Sequence, residues 1–384
     1  MNMKRMWAVA SKECRELRRD RLFVVLAFVV PVGAMILYGY SLSLDIEDSP
    51  MAIVDHDGSP MSRRYADHFI HSRYCDFRGY IQSHHQIDRL LTAGTVRAVI
   101  VIPEHFQENL LAGKSVEVQT LIDGSMPNRS QLARGYVIAI NSAENKRMAI
   151  NYVARHRGVT RERAEQLIQP LKLEVRYLYN QASLSIWTIA PTMIMLVLML
   201  IPPFYTTVGV VREKESGAIY NIYASTVTRL EFLVGKLIPY VAISCLNAVL
   251  LYLLATRFFA APFKGDLLFF SVATFVYVIC TTSIGLTVSV FVSTQIAAQL
   301  ITGVLTILPS FAYSGLLKPV AAMDPTGQFI AHLLPAMYYT EVVQGAFLKG
   351  LGWHELWPNL VILTFYAAVL LTLSLLAFRK RPSR

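Results

Sequence analysis

Apolar residues dominate from residue 22 to 44, with Pro31 and Gly33 inside the run, and the chain then turns polar until about residue 182. Further apolar runs follow at about residues 184–208, 232–256, 267–292, 296–317 and 357–378. Each is close to the roughly 20 apolar residues that a helix needs to cross a bilayer. The pattern therefore predicts a polytopic α-helical membrane protein with six transmembrane helices. Residues 318–355 are too long for a turn and too apolar for a free loop. Short membrane-dipping helices are expected there over 329–334 and 337–347, broken at Pro335.

The polar stretch, residues 45–182, alternates two periods. Residues 51–55 read as a strand, followed by the turn residues Asp57, Gly58, Ser59 and Pro60 and a helix over 61–72. A weak strand at 77–81, a helix capped by Ser83 and reaching residue 93, and a buried strand at 96–102 come next. Pro103 opens a helix, 116–123 alternates as a strand, 127–157 forms a longer helix and 171–179 returns as a strand. Alternating strands and helices predict an α/β domain with a mixed sheet, inserted between spans 1 and 2.

Charge sets the orientation. The chain has 384 residues and a net charge of +10, and it is 54% hydrophobic. In a membrane protein such a balance points to anionic lipid and positive-inside loops. No nucleic-acid module accompanies it. Residues 1–21 carry Lys4, Arg5, Lys12, Arg15, Arg18, Arg19 and Arg21 beside Trp7, Val9, Ala10 and Leu17. They predict an interfacial amphipathic helix on the cytoplasmic leaflet. The first run lacks a small-residue cleavage site and reads as a retained span. Arg379, Lys380, Arg381 and Arg384 follow the last run, so six spans leave both termini in the cytoplasm, with Arg257 and Lys264 as a mild exception. The inserted domain then lies outside, since long polar domains translocate largely regardless of charge. It contains only Cys75 of the four cysteines, so no internal disulfide is available to it.

Candidate chemistry is sparse. Apart from Lys236, the six predicted spans contain no Asp, Glu, Lys, Arg or His, which disfavours an ion-coupled carrier. Gly113-Lys114-Ser115 looks like the end of a phosphate loop, but Glu108 stands where its first glycine belongs, and the stretch reads as a turn. No nucleophile–base arrangement is present, so no enzyme is predicted. His68, His71, His84 and His85 are solvated helix residues on this reading, and no metal site is expected. Span five carries a polar stripe of Gln295, Gln299, Thr302, Thr306, Ser310 and Ser314 on one face. Span two offers Thr188, Thr192, Met195 and Met199. These two faces either pack helices together or line a translocation path, where thioethers would suit varied apolar substrates; the span-five face could equally form the dimer seam.

Between spans two and three, the apolar run ends at Val211 and Arg212, Glu213, Lys214 and Glu215 follow. Val211, Ala218, Ile219 and Ile222 recur at helical spacing, predicting a short surface helix within residues 210–230. The order Arg212-Glu213-x-Glu215-x-Gly217, a helix, then Gly235-Lys236 resembles the ABC-2 type permeases, the membrane half of one class of ABC exporter. Ala218 and Tyr220 stand where the family often has Thr and Glu, and Ser225-Thr226 where it often has Ser-Pro. The resemblance implies a coupling helix docked on a cytosolic ABC ATPase, with Arg212, Glu213, Glu215, Gly217, Ile219, Tyr220, Tyr223, Gly235 and Lys236 at the coupling site. Residues 1–21 are similar to the family's connecting helix. The inserted domain resembles the family's extracytoplasmic domain at residues 52–55, 101–103 and 123–125. Residues 318–355 are similar to its external re-entrant segment, although Asp324-Pro325 and Gln344 stand where it commonly has Met-Pro and Arg.

What the resemblance implies is a permease subunit in a bacterial inner membrane, exporting a drug-like or lipophilic substrate. It would bind no cofactor itself, with ATP-Mg held by the partner ATPase. Its partners would be that ATPase, a second permease copy or a paralogue, a periplasmic adaptor (membrane fusion protein) and an outer-membrane channel. The competing reading is a membrane-anchored docking protein, for which six spans are more than a tether requires.

Overall fold

The computed structural model describes the chain apart from residues 1, 42–48, 73–74, 83, 126, 170–175, 177, 183, 219–225 and 379–384. It divides into two compact units, residues 44–176 and residues 1–43 with 177–384. The chain begins with α1 (Met3–Arg19), whose Met6, Ala10, Glu13 and Leu17 recur at helical spacing and are buried. Asp20 ends this helix, and α2 (Arg21–Ser41) runs on through Pro31.

The smaller unit comprises β1 (Ser49–Asp55), α3 (Pro60–Ile70), β2 (Cys75–Tyr80), α4 (His84–Thr92), β3 (Ala98–Ile102), α5 (Phe106–Leu111), β4 (Gln119–Ile122), α6 (Pro127–Arg157) and α7 (Arg161–Ile168). The sheet order is β2-β1-β3-β4, with β2, β1 and β3 parallel and β4 antiparallel to β3. Every residue of β3 is buried because both faces are covered. Ile100 and Ile102 pack with Ile53, Phe69 and Phe106, while Val99 and Val101 pack with Ala52, Val54 and Ile87. Asp55 fastens the turn after β1, accepting from the amides of Asp57 and Gly58 at 3.0 Å and from the Ser62 hydroxyl at 2.7 Å. The strand expected over 116–123 forms only at Gln119–Ile122. That expected over 171–179 lies mostly outside the described residues, and Leu178 and Tyr179 are not in a strand.

After β4, the Asp123 carboxylate is held down to about 2 by hydrogen bonds from Ser125, then from Arg97. Its folded value lies below the ordinary one, so its contribution to stability is present above about pH 4 and fades as pH falls through about 2. Protection of the β3 and β4 amides against hydrogen exchange should therefore weaken across that window. Arg97→Ala should weaken it at higher pH, and identical profiles for the two proteins would contradict the assignment.

The larger unit continues with α8 (Ile186–Glu215), α9 (Arg229–Leu253), α10 (Leu267–Phe291), α11 (Gln295–Tyr313), α12 (Pro325–His332), α13 (Pro335–Gln344) and α14 (Trp353–Ala377). Among the described residues, six helices (α2, α8, α9 with its extension to Phe258, α10, α11 and α14) are long and apolar enough to cross a membrane. α8 is the central one, packed by α2, α9, α10, α11 and α13. At its middle the approach is very close. A Cβ on Gly285 of α10 would lie 2.8 Å from the Pro203 Cα of α8. Small residues at such crossings let helix backbones meet in a bilayer. Thr207 of α8 donates to the Gly285 carbonyl at 3.0 Å, and Thr302 of α11 donates to the Thr207 hydroxyl at 3.1 Å.

The sequence-based boundaries shift at several places, among them the following. α11 stops at Tyr313, where Ser314 and Gly315 (φ +88°) end the helix, and not at residue 317. α14 starts at Trp353 and not at 357, because Glu355 accepts from the Gly352 amide and extends the helix beyond its apolar part. The short helices expected at 329–334 and 337–347 are found at Pro325–His332 and Pro335–Gln344, each with a proline in its first turn. Tyr339 of α13 stacks on Tyr277 of α10 with ring centres 4.0 Å apart, and Tyr277 donates to the Met195 carbonyl of α8 at 3.2 Å.

Candidate functional site

At one end of the bundle the C-termini of α8 and α10 meet the N-termini of α9 and α11, with α1 lying across α9. Two glycines make the seat for α1. A Cβ on Gly235 would come 2.7 Å from the Met6 carbonyl oxygen and 3.0 Å from the Val9 Cβ. One on Gly209 would overlap the Tyr240 hydroxyl and lie 3.3 Å from Glu13 Oε1. Leu17 and Met6 supply the apolar part of the contact, and Glu13 supplies a charge in the middle of it.

That charge is answered by Lys236, which is 1% exposed. Its Nζ lies 3.1 Å from Glu13 Oε2 and 2.7 Å from Glu213 Oε2. The Tyr240 hydroxyl donates to the other Glu13 oxygen. Lys12 donates to Glu213 Oε1 at 2.8 Å and lies 3.5 Å from Glu16. Partial burial acts to lower the Lys12 pKa, but the hydrogen bond and charge of Glu213 outweigh it and raise it. Buried ions need such pairing, since desolvation alone costs several kcal/mol per ion, on the order of what one good partner returns. Among the described residues, Glu13, Glu16 and Glu213 form the one carboxylate group close enough for a metal. Lys12 and Lys236 already bring positive charge there, so it is an internal ion cluster.

The residues flanking Glu213 reach three further elements. Arg212 Nη1 pairs with Asp20 at 2.8 Å, at the junction of α1 and α2. Lys214 donates to the carbonyls of Ser289, Val290 and Val292, the last two at 3.0 and 3.3 Å. It thereby caps the C-terminus of α10. Glu215 accepts from the Gln295 amide at 2.8 Å and from its side chain, at the N-terminus of α11. Four consecutive side chains of α8 thus fasten α1, α2, α9, α10 and α11. A second tie runs from the start of α1, where the Asn2 amide donates to Glu231 at 2.5 Å and Arg5 donates to the Thr226 carbonyl at 2.8 Å.

Of the residues singled out for coupling, Arg212, Glu213, Gly235 and Lys236 come together here, and Glu215 lies one turn away. Gly217 follows α8 with φ +72°, the left-handed conformation that glycine favours. Ile219, Tyr220 and Tyr223 lie outside the described residues. Arg212–Glu215 were expected to begin a separate surface helix, and instead they form the last turn of α8, which ends at Glu215 with Ser216 as its cap. Glu213 is buried and faces the protein itself. Sequence reasoning missed Glu13, Asp20, Gly209, Lys214 and Tyr240. Glu13 had a visible signal, an acid on the apolar stripe Met6, Ala10, Leu17 of a basic helix. The others became partners only through the fold.

The two candidate path faces lie mostly inside the larger unit. Thr192, Met195, Met199, Thr302, Thr306 and Ser310 are buried inside the unit, Thr188 is half-buried and Gln299 is exposed. Threonine hydroxyls here turn back onto their own helices, as Thr192 does on Thr188 and Thr306 on Thr302, or join α11 to α8 through Thr302 and Thr207. These are contacts of the packing kind, whereas the buried Ser310 and Ser314 hydroxyls of the same stripe have no hydrogen-bond partner among the described residues. In the smaller unit His68 pairs with Glu144 at 3.0 Å and His71 lies on the Asp67 carbonyl, each answered locally.

Relatives match along nearly the whole chain. The chain is 26% identical over 383 residues to the probable multidrug ABC transporter permease YbhS of Escherichia coli, covering 99% of this chain and 98% of that one. It is 24% identical over 368 residues to the probable multidrug ABC transporter permease YbhR (93% and 95% covered). It is also 24% identical over 385 residues to the inner membrane transport permease YhhJ (99% and 98%) of the same organism. The family profile described as ABC-2 family transporter protein matches residues 21–376. With a match of that extent, the chain belongs to the ABC-2 family of transporter proteins.

Proposed function

We propose that this chain is the permease subunit of an ATP-driven exporter that moves a drug-like or lipophilic molecule outward across the inner membrane. The observation that carries this reading is the fastening of five helices by residues 212–215. A push on α1 or on the segment after Gly217 is shared at once by α8, α9, α10 and α11, as a lever driven by a soluble ATPase requires. The ATPase is a separate cytosolic ABC subunit carrying ATP-Mg, so the permease itself is not an enzyme. A second copy or a paralogue completes the transport unit. The basic α1 supports a cytoplasmic position for the fastened end. Because α2 ends and α8 begins at the opposite end, the α/β unit is then extracytoplasmic, where a periplasmic adaptor and an outer-membrane channel can meet it.

The test is reconstitution with a cytosolic ABC ATPase that co-purifies with this chain. Gly217→Pro, which forces φ to about −65°, should abolish permease-stimulated ATP hydrolysis while leaving the unfolding temperature of the permease within a few degrees. Normal stimulation in that variant would overturn the lever. Transport that collapses with an uncoupler while ATP stays high would replace it with an ion-coupled carrier.

A further inference from the structure

Beside the fastened end, a cavity of about 420 Å³ opens between α2, α8 and α11. Its volume falls within the roughly 300–1,000 Å³ of small-molecule sites. The body is apolar and aromatic, with Leu26 and Val30 of α2, and Leu200, Phe204 and Val208 of α8. The mouth is polar, formed by Asp20, Arg212, Gln295 and Gln299. This set omits the buried Thr and Met residues of α8 and α11 and shares only Gln295 and Gln299 with the span-five stripe.

Two features narrow the occupant. Among the described residues, Asp20 and Arg212 are the only charged ones lining the cavity, and they are paired at 2.8 Å, so the mouth has no net charge to offer. A head group with an unbalanced charge would leave one charge unanswered at a half-buried site, whereas a neutral or zwitterionic one finds both a donor and an acceptor. The volume holds one slender apolar body and not the paired tails of a bilayer lipid. The floor also belongs to the coupling machinery. Leu17, Gly209 and Tyr240 line the cavity, and Tyr240 holds Glu13.

From this geometry we infer that the cavity binds a single-tailed amphipath with a neutral or zwitterionic head, taken from the leaflet at the fastened end. Tail contact with Tyr240 and head contact with Arg212 place the ligand against two of the groups that fix α1, so an occupied cavity is sensed where the ATPase would act. The inference rests on the export reading for its direction and names the substrate class of that transporter.

The experiment uses the full chain in phosphatidylcholine nanodiscs without any ATPase, so its outcome is independent of the coupling test. The probe is dodecylphosphocholine with a diazirine in its tail, followed by peptide mapping. Adducts should concentrate on Leu26, Val30, Leu200 and Phe204 and disappear with excess unmodified dodecylphosphocholine, although two-tailed phosphocholine is already abundant in the disc. Homologues with a trimethylammonium or a sulfate head should label the cavity about tenfold less, reflecting an uncompensated charge at a partly buried site. Leu200→Trp, or Ile307→Trp on the other wall should the first variant aggregate, should remove labelling by filling the space. Adducts spread without saturation over the outward faces of α11 and α14, such as Leu308 and Val361, would overturn the site. Preferential labelling by either charged homologue would overturn the substrate class. Failure of ATPase stimulation alongside saturable labelling would remove the export reading and leave the cavity.

Discussion

Replacing Lys236 by Met should destabilise the bundle by about 3–5 kcal/mol, the range for removing one partner of a buried ion pair. Lys236 stands between Glu13 and Glu213, 2% and 6% exposed, with its ammonium within 3.1 Å of both. Methionine matches the volume but leaves two carboxylates facing each other, with only Lys12 and the Tyr240 hydroxyl as partners. Thermal unfolding in detergent, followed by size-exclusion chromatography, reads the loss directly. Adding Glu213→Gln to Lys236→Met removes one of the stranded charges and should recover part of it, and the double-mutant cycle gives the coupling energy. An unfolding temperature for Lys236→Met equal to that of the parent would show that water reaches the cluster and that it is not a structural core.

The second large effect is expected at Gly285. Overpacking a core costs typically about 1–3 kcal/mol, and here the obstacle is not a side chain that can turn away. The nearest atoms to a new Cβ are the carbonyl, Cα and C of Pro203, all backbone. Gly285→Ala should therefore reach about 3 kcal/mol, the upper end of that range, because α10 must withdraw from α8. The withdrawal also breaks the Thr207–Gly285 hydrogen bond. Gly303→Ala on α11 is the control, since a Cβ there comes no nearer than 3.4 Å to the end of the Phe204 ring. It should unfold within a degree or two of the parent. Equal destabilisation of the two variants would refute the distinction between backbone and side-chain contact.

The membrane spans were legible because a bilayer demands long apolar runs, and a run is a local property of the chain. Strand β3 was legible for a similar reason, since burial on both faces leaves five apolar residues in succession. Boundaries were harder wherever a polar group extends or stops a helix, as Glu355 does for α14 and Gly315 for α11. The charged cluster after span two was visible, but its direction was not. Arg212–Glu215 look equally like the start of a surface helix and the last turn of a span. Only the tertiary partners Asp20, Lys236, Ser289 and Gln295, up to about two hundred positions away in sequence, decide between them. The hydroxyl stripe on α11 was ambiguous for the opposite reason. Thr302 and Thr306 satisfy themselves on neighbouring backbone or hydroxyl oxygens, a pattern that spacing cannot tell from a wet surface.

The four ties at the end of α8 also fix its phase. Successive residues of a helix point about 100° apart, so each of the four partners is reached by one side chain at one angle. One residue inserted anywhere between Val208 and Val211 would turn the whole set by that angle and deliver every charge to the wrong neighbour. For the same reason α8 cannot screw about its own axis while these bonds last. Any working stroke passed through it must be a tilt or a bodily shift that carries its neighbours along.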